Sequence, residues 1–220
     1  NKATITPVDP LGIMLVIKQE KIIIIGSGGH LVSTINLIKS TGEFKIIGLI
    51  DLIKSNKKVL GYSIIGTEKD LPKFIKSGIK YCSIGIGQIK NPNPRIRIFK
   101  LLKKLGFKVP SIISKYSNCS SESKIGEGTN IFSNTFINSN VVIGKNCIIN
   151  TGSIIEHDVI ISENCHISTG TILNGTVTVG KNTFIGSGTI IKNNIKIGDD
   201  CIIGMGKVIK KNISNKKIIK

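Results

Sequence analysis

A period of six residues constrains this chain more than any other feature. Stepping by six from Ile125 gives Ile131, Ile137, Ile143, Ile149, Ile155, Ile161, Ile167, Leu173, Val179, Ile185, Ile191, Ile197, Ile203 and Ile209, with no polar residue in the series. Four residues after each comes a small or β-branched side chain, from Thr129 to Ile213, with Lys207 as the exception. Gly follows the large residue at Gly126, Gly144, Gly180, Gly186, Gly198 and Gly204, where a sharp turn would favour it. A six-residue unit with one large inward side chain is a short strand plus a turn. Three units close a triangular coil, and stacked coils make a parallel β-helix. Each inward Ile then stacks on the one eighteen residues away. The repeat predicts about five coils over residues 125–214, followed by a tail at 215–220.

The front half reads differently. Residues 21–25 (KIIII) form a buried-strand pattern and run straight into Gly26-Ser27-Gly28-Gly29-His30. Leu31, Ile35 and Ile38 then mark a helix, and Lys45–Ile50 is a second strand ending in Asp51. This is the βαβ nucleotide-binding layout, in which glycines allow close backbone approach and a helix N-terminus favours phosphate. The third glycine of the dinucleotide fingerprint is missing, since Ser33 and Thr34 stand there. The motif by itself fits a phosphate site or merely a tight βα turn. Tyr81–Ile86 is a further strand, ending in Gly87-Gln88, and Ile96–Leu105 a further helix after Pro92 and Pro94. The expected organisation is a Rossmann-like domain at 21–110, a polar connection at 111–124, and the β-helix. Residues 1–20, with Pro7, Pro10 and Gly12, fit neither domain. The chain begins at Asn1 without Met, as a fragment or a processed product would.

Composition decides between classes of partner. No apolar stretch approaches the roughly 20 residues of a membrane span, and the N-terminus lacks a secretory pattern. Net charge is +18, of which residues 1–124 carry +14. The bases are nearly all Lys, there is no Trp, and no basic stripe is interleaved with stacking rings, so a solvated basic surface is expected and nucleic acid is not. Cys82, Cys119, Cys147, Cys165 and Cys201 are odd in number and never spaced Cys-x-x-Cys, which suits reduced thiols in a cytoplasm and no zinc site. Cys147, Cys165 and Cys201 fall at the small position of the repeat, a packing role.

A repeat is a scaffold, so chemistry should lie where the sequence does something the scaffold does not need. Glu156-His157-Asp158 is such a place. Ile155 points inward, which puts His157 at an edge of the prism, where a flanking carboxylate can fix its tautomer and raise its basicity. Read alone, His157 fits either a catalytic group or a surface histidine. His166 lies half a coil on, so the two could face one site only across a subunit boundary. A γ-class carbonic anhydrase, built on the same repeat, needs three ligand histidines on its helix, and only two are here.

GSGGH after a strand, Asp51 ending the next strand, GIGQIKNPNPR, Asn150-Thr151-Gly152 and EHD within hexapeptide repeats together resemble the bacterial sugar acyltransferases. That family includes UDP-4-amino-sugar N-acetyltransferases and sialic acid O-acetyltransferases. The resemblance spans about residues 21–213. It implies a Rossmann-like sugar-nucleotide domain, a left-handed β-helix, a homotrimer with active sites between subunits, and acetyl-CoA as donor without a metal. It implies His157 as general base and Asp158 as its supporting acid, with Asn150 and Glu156 near the acceptor. It implies further that His166, Gly175, Ser187 and Met205 meet acetyl-CoA, Gly175 through its backbone N–H at the thioester oxygen. Gly28, Gly29, His30 and Gly87 match the sugar-nucleotide loop, and Asp51 the nucleoside contact. Two departures stand out: Leu52 replaces an acid common in the family, and the chain stops at Lys220 without the usual tail, so part of the CoA site would be missing. The implied activity is N-acetylation of a UDP-4-amino-6-deoxy sugar for surface glycan. Alternatives are O-acetylation of sialic acid, a non-catalytic scaffold, and polyanion binding.

Overall fold

A computed structural model of the chain describes residues 19–26, 28–53 and 55–220. Residues 1–18, Ser27 of the glycine turn and Lys54 lie outside the described residues. The first domain is a five-stranded sheet of β1 (Glu20–Ile25), β2 (Phe44–Asp51), β3 (Lys58–Val59), β4 (Tyr62–Thr67) and β5 (Tyr81–Ile84), in the order β3-β4-β2-β1-β5. All pairs are parallel except the short β3/β4 hairpin. Ile22 to Ile25 are buried on both faces, as a central parallel strand requires. Helix α1 (Gly29–Thr41) follows β1, α2 (Leu71–Lys76) follows β4, and α3 (Asn93–Lys104) follows β5.

The second domain is a left-handed β-helix. Its two-residue strands stack eighteen residues apart in three parallel sheets of seven, six and five strands, the walls of a prism. The inward series from Ile131 to Ile209 is buried in one column of core. At the small positions, hydroxyls knit the coils together. Thr129 Oγ1 donates to Gly144 O (2.8 Å) and accepts from Cys147 N (3.0 Å), and Thr183 repeats this with Gly198 O and Cys201 N. The cysteines at these positions are buried and unpaired, with Cys165 Sγ directed at Gly180 O (3.0 Å).

Two expectations need correction. Residues 111–124 are not a connection but the first coil, because Ile112–Ile113, Asn118–Cys119 and Lys124–Ile125 pair in register with the three strands above. Their polar composition hid a coil whose inward residues are partly Cys and Ser. At the other end Ile213 pairs with Ile197 and Ile219 with Ile203, sixteen residues apart. The last coil is therefore two residues short, Ile213 takes the large inward position, and 218–219 continues the wall rather than forming a tail.

The glycines after the large residues serve a different purpose from the one expected. They are not the left-handed turn residues. A Cβ at Gly126 would lie 2.5 Å from Gly144 C, and one at Gly186 2.5 Å from Met205 N, so they admit the backbone of the adjacent coil. The left-handed residues sit two places further on. They form the columns Asn146-Asn164-Asn182-Asp200, Gly152-Gly170-Gly188-Gly206 and Asn140-Asp158-Thr176-Asn194, with φ between 56° and 70°. Asn, Asp and Gly tolerate that region best. In the first column each Asn amide donates to the next residue's side chain, at 2.9, 3.2 and 2.9 Å.

Helix α1 joins the domains. Leu31, Ile35, Leu37 and Ile38 share a core with Ile112, Phe132 and Ile148, the outward residues of the seven-stranded wall and its edge. Burial of that wall against α1 fixes where the glycine turn at the start of α1 meets the β-helix.

Candidate functional site

A cleft of about 740 Å³ opens at this junction. The βαβ domain contributes Gly28, Gly29, His30, Gly87 and Gln88; the β-helix contributes Asn150, His166, Ser187 and Met205. A second cavity of about 250 Å³ lies at the C-terminal ends of β1 and β2, lined by Asp51, Leu52, Glu68, Pro94 and Arg97. Gly28 and Gly87 line both, so the two spaces meet at the N-terminus of α1. Among the described residues no side chain caps that helix, and the Leu31 N–H turns back to Gly28 O at 3.0 Å. A Cβ on Gly28 or Gly29 would meet nothing within 4 Å, so protein packing does not require glycine there. Bare backbone at an uncapped helix start suits a phosphate-bearing ligand.

The cleft wall holds two neutral histidines. His166 is 5% exposed, stacks edge-on against Phe184 at 5.2 Å between ring centroids, and donates from Nδ1 to the Gln88 carbonyl. Burial, reinforced by the Arg95 charge, pulls its pKa down to about 4. His30 packs edge-on against Phe132 at 5.3 Å, and burial above all lowers it to about 3. The Nε2 atoms of both are buried and find no partner among the described residues. Asn150 is turned partly to its own backbone, its Oδ1 accepting Thr151 N at 2.9 Å.

His157 stands apart from this cleft, on the corner occupied by the Asn140-Asp158-Thr176-Asn194 column. Its side chain is 55% exposed, and its Nδ1 lies 2.9 Å from Asp158 Oδ2. Asp158 also accepts from Asn140 Nδ2 at 3.2 Å, and these bonds, the one to His157 first, hold its carboxyl below the usual range. With Nδ1–H given to Asp158, the lone pair of His157 Nε2 is left outward. Gly175, one coil above, lies directly over the ring: a Cβ there would be 2.6 Å from Nε2. Glu156 is occupied structurally, accepting from Asn138 Nδ2 at 2.8 Å.

Within one chain, therefore, the anticipated residues form two groups. Gly28, Gly29, His30, Gly87, Asn150, His166, Ser187 and Met205 share the cleft. Asp51 lines the adjoining cavity, and Glu156, His157, Asp158 and Gly175 lie on another edge. Sequence reasoning passed over Gln88, Arg95 and the Glu68–Arg97 pair, whose guanidinium reaches both carboxylate oxygens at 2.6 and 2.7 Å. One signal was available: Arg95 and Arg97 are the chain's sole arginines. Among the described residues no cluster of three or more His, Cys, Asp or Glu could hold a metal, and no helix is long and apolar enough to cross a membrane.

Residues 21–102 match the family model described as the PglD N-terminal domain, and residues 176–211 match the bacterial transferase hexapeptide repeats. A search among curated proteins finds no match. Among solved structures, a point mutant of perosamine N-acetyltransferase from Caulobacter crescentus, in complex with CoA and GDP-perosamine, superposes with a TM-score of 0.85. Identity is 27%, with 94% of this chain and 95% of that one covered. The acetyltransferase domain of PglB from Neisseria gonorrhoeae FA1090, in complex with acetyl coenzyme A, gives 0.81 at 25% identity, covering 91% and 96%.

Proposed function

We propose that this chain is a PglD-type hexapeptide-repeat acetyltransferase that uses acetyl-CoA to N-acetylate a nucleotide-linked 4-amino-6-deoxy sugar. The observation that carries the reading is the continuity of the two cavities through Gly28 at the start of α1. A nucleoside fits beside Asp51, the diphosphate over the α1 N-terminus, and the sugar in the larger cleft. UDP is the carrier proposed. GDP is the second reading, favoured by the GDP-perosamine bound in the Caulobacter structure.

A homotrimer unites the two groups of residues. The six-stranded wall of the prism carries an outward column of Phe136, Ile154, Ile172, Ile190 and Val208, with Phe136, Ile190 and Val208 over a third exposed. Three such walls packed around a three-fold axis would bury these columns. Each wall is flanked by the corner bearing Ser187 and Met205 on one side and the corner bearing His157 and Gly175 on the other. A three-fold arrangement therefore brings His157 of one subunit to the cleft of the next. Acetyl-CoA lies in that seam, against His166, Ser187 and Met205. Unpaired thiols and an acetyl-CoA donor favour a bacterial cytoplasm as the place of action.

In the reaction the sugar amine attacks the thioester carbonyl carbon. His157 Nε2 takes the proton the amine loses, and Asp158 stabilises the imidazolium through Nδ1–H. The N–H of Gly175, which has no acceptor among the described residues, donates to the developing oxyanion. Collapse breaks the C–S bond, forms the amide, and returns the proton from His157 to the departing CoA thiolate. No acyl-enzyme intervenes. The test is CoA release from acetyl-CoA with UDP- and GDP-linked 4-amino-6-deoxy sugars, in wild type and His157→Ala. Turnover with one carrier that collapses in the variant supports the reading. Turnover untouched by the substitution refutes the base, and none with either sugar nucleotide refutes the substrate class.

A further inference from the structure

Arg95 is wholly buried, and among the described residues it has no carboxylate partner. Its guanidinium donates instead to four carbonyls. Nη1 reaches Ile84 O (3.0 Å) and Ile86 O (2.9 Å) in the segment leaving β5, Nη2 reaches Gly128 O (3.1 Å), and Nε reaches Asn146 O (3.3 Å) on the β-helix. A buried cation is costly unless its donors are met, and here both domains meet them. The segment so held continues to Gln88, itself buried, whose Nε2 donates to Asn164 O at 2.7 Å. The Gln88 carbonyl in turn receives Nδ1–H of His166.

We propose that Arg95 is a positioning residue for the acetyl-transfer cleft. By clamping residues 84–88 to the β-helix, it makes the Gln88 carbonyl hold His166 as the Nδ1–H tautomer, with Nε2 kept as an acceptor for an N–H or O–H of the bound substrate. Two further observations support this. His166 Nε2 is a buried acceptor on a wall of the cleft with no partner among the described residues, which a ligand donor would satisfy. Burial above all keeps both cleft histidines neutral, and the nearby guanidinium adds to this by disfavouring a second positive charge there. Lys could not replace it: one ammonium cannot span four carbonyls in two domains.

The inference rests on the acetyltransferase reading for its kinetic consequence, but its structural core is measurable without activity. The chain has three histidines, so a ¹⁵N-histidine spectrum of the full-length protein holds three pairs of ring signals, with His166 assigned by its absence in His166→Phe. At neutral pH the expected wild-type pattern for His166 is protonated Nδ1 and unprotonated Nε2. In Arg95→Lys and Gln88→Leu that pattern gives way to mixed tautomers. KM for acetyl-CoA or the sugar nucleotide rises roughly tenfold, the loss of about one good hydrogen bond, while kcat stays within about twofold. If Arg95→Lys does not fold, Gln88→Leu retains Arg95 and reads the same link. An Nε2–H tautomer in the wild type overturns the proposal. So does an unchanged tautomer with unchanged KM in a folded variant.

Discussion

Gly175→Ala separates the role of His157 from the stability of the scaffold. The Cβ it adds falls 2.6 Å from His157 Nε2 and 2.7 Å from Cε1, on the nitrogen proposed to take the substrate proton. Ordinary carbon contacts need about 3.5 Å, so the ring must move by close to 1 Å or swing away. The backbone itself accepts alanine, because φ at Gly175 lies outside the left-handed region, and the half-exposed imidazole can retreat into solvent. The N–H of residue 175 is retained, so the oxyanion donor is unchanged. Losing general-base assistance costs about 10²–10⁴ in rate, or roughly 3–5 kcal/mol of barrier. The expected result is a kcat lower by at least about 10² with a thermal midpoint unchanged or slightly raised, since Gly→Ala restricts the unfolded chain. Steady-state CoA release and calorimetry on the same preparation decide it. A kcat within about twofold of wild type would refute the placement of His157 in the reaction. Activity lost only in proportion to a fall in midpoint would make Gly175 a folding residue.

Other outcomes follow from the same structure. His30 and His166 have pKa values near 3 and 4 in the folded protein against an ordinary 6.5, so the unfolded chain binds more protons between those limits. Stability is therefore full above about pH 6.5 and falls as pH drops toward 4, by a few kcal/mol in all; urea unfolding at pH 7.5, 6 and 5 should show this, and a pH-independent midpoint would contradict it. Ile167→Ala removes a fully buried core side chain between two stacked coils and should cost about 2–5 kcal/mol, seen as a lower urea midpoint, whereas the same change at exposed Ile218 should cost under about 0.5 kcal/mol.

The β-helix was legible because its signal is periodic and steric: one aliphatic residue every six, with nothing polar tolerated in the column. It was legible only as far as the period holds. The first coil carries Cys119 at an inward position and the last drops two residues, so both ends fell outside the pattern although their ladders pair normally. The hexad glycines were seen but misread. Sequence shows that a position wants glycine, not whether φ or a neighbouring backbone demands it. The βαβ reading from Ile22 to Asp51 rested on strand and helix periods and matches the sheet and helix observed. His157 and Asp158 are sequence neighbours, so their pairing could be read locally. The Arg95 clamp spans residues 84 to 146, and the Gln88–His166 bond joins residues 78 apart; no local pattern carries such contacts. What the sequence did offer was a choice of residue. In a chain whose bases are otherwise all Lys, both arginines stand where a planar fork is used, Arg95 on four carbonyls and Arg97 on Glu68.

The central claim is that the base and the substrate cleft of one active site come from different subunits, and subunit mixing tests it most directly. His157→Ala lacks the base but keeps an intact cleft. Ser187→Trp fills the cleft but keeps His157. Each alone should be inactive. Co-expressed in equal amounts and purified as mixed trimers through two different tags, they should regain roughly a third of wild-type turnover, since each mixed trimer has one seam in three where an intact base meets an intact cleft. Mixed trimers as inactive as their parents would contradict a shared site and place base and cleft within one chain.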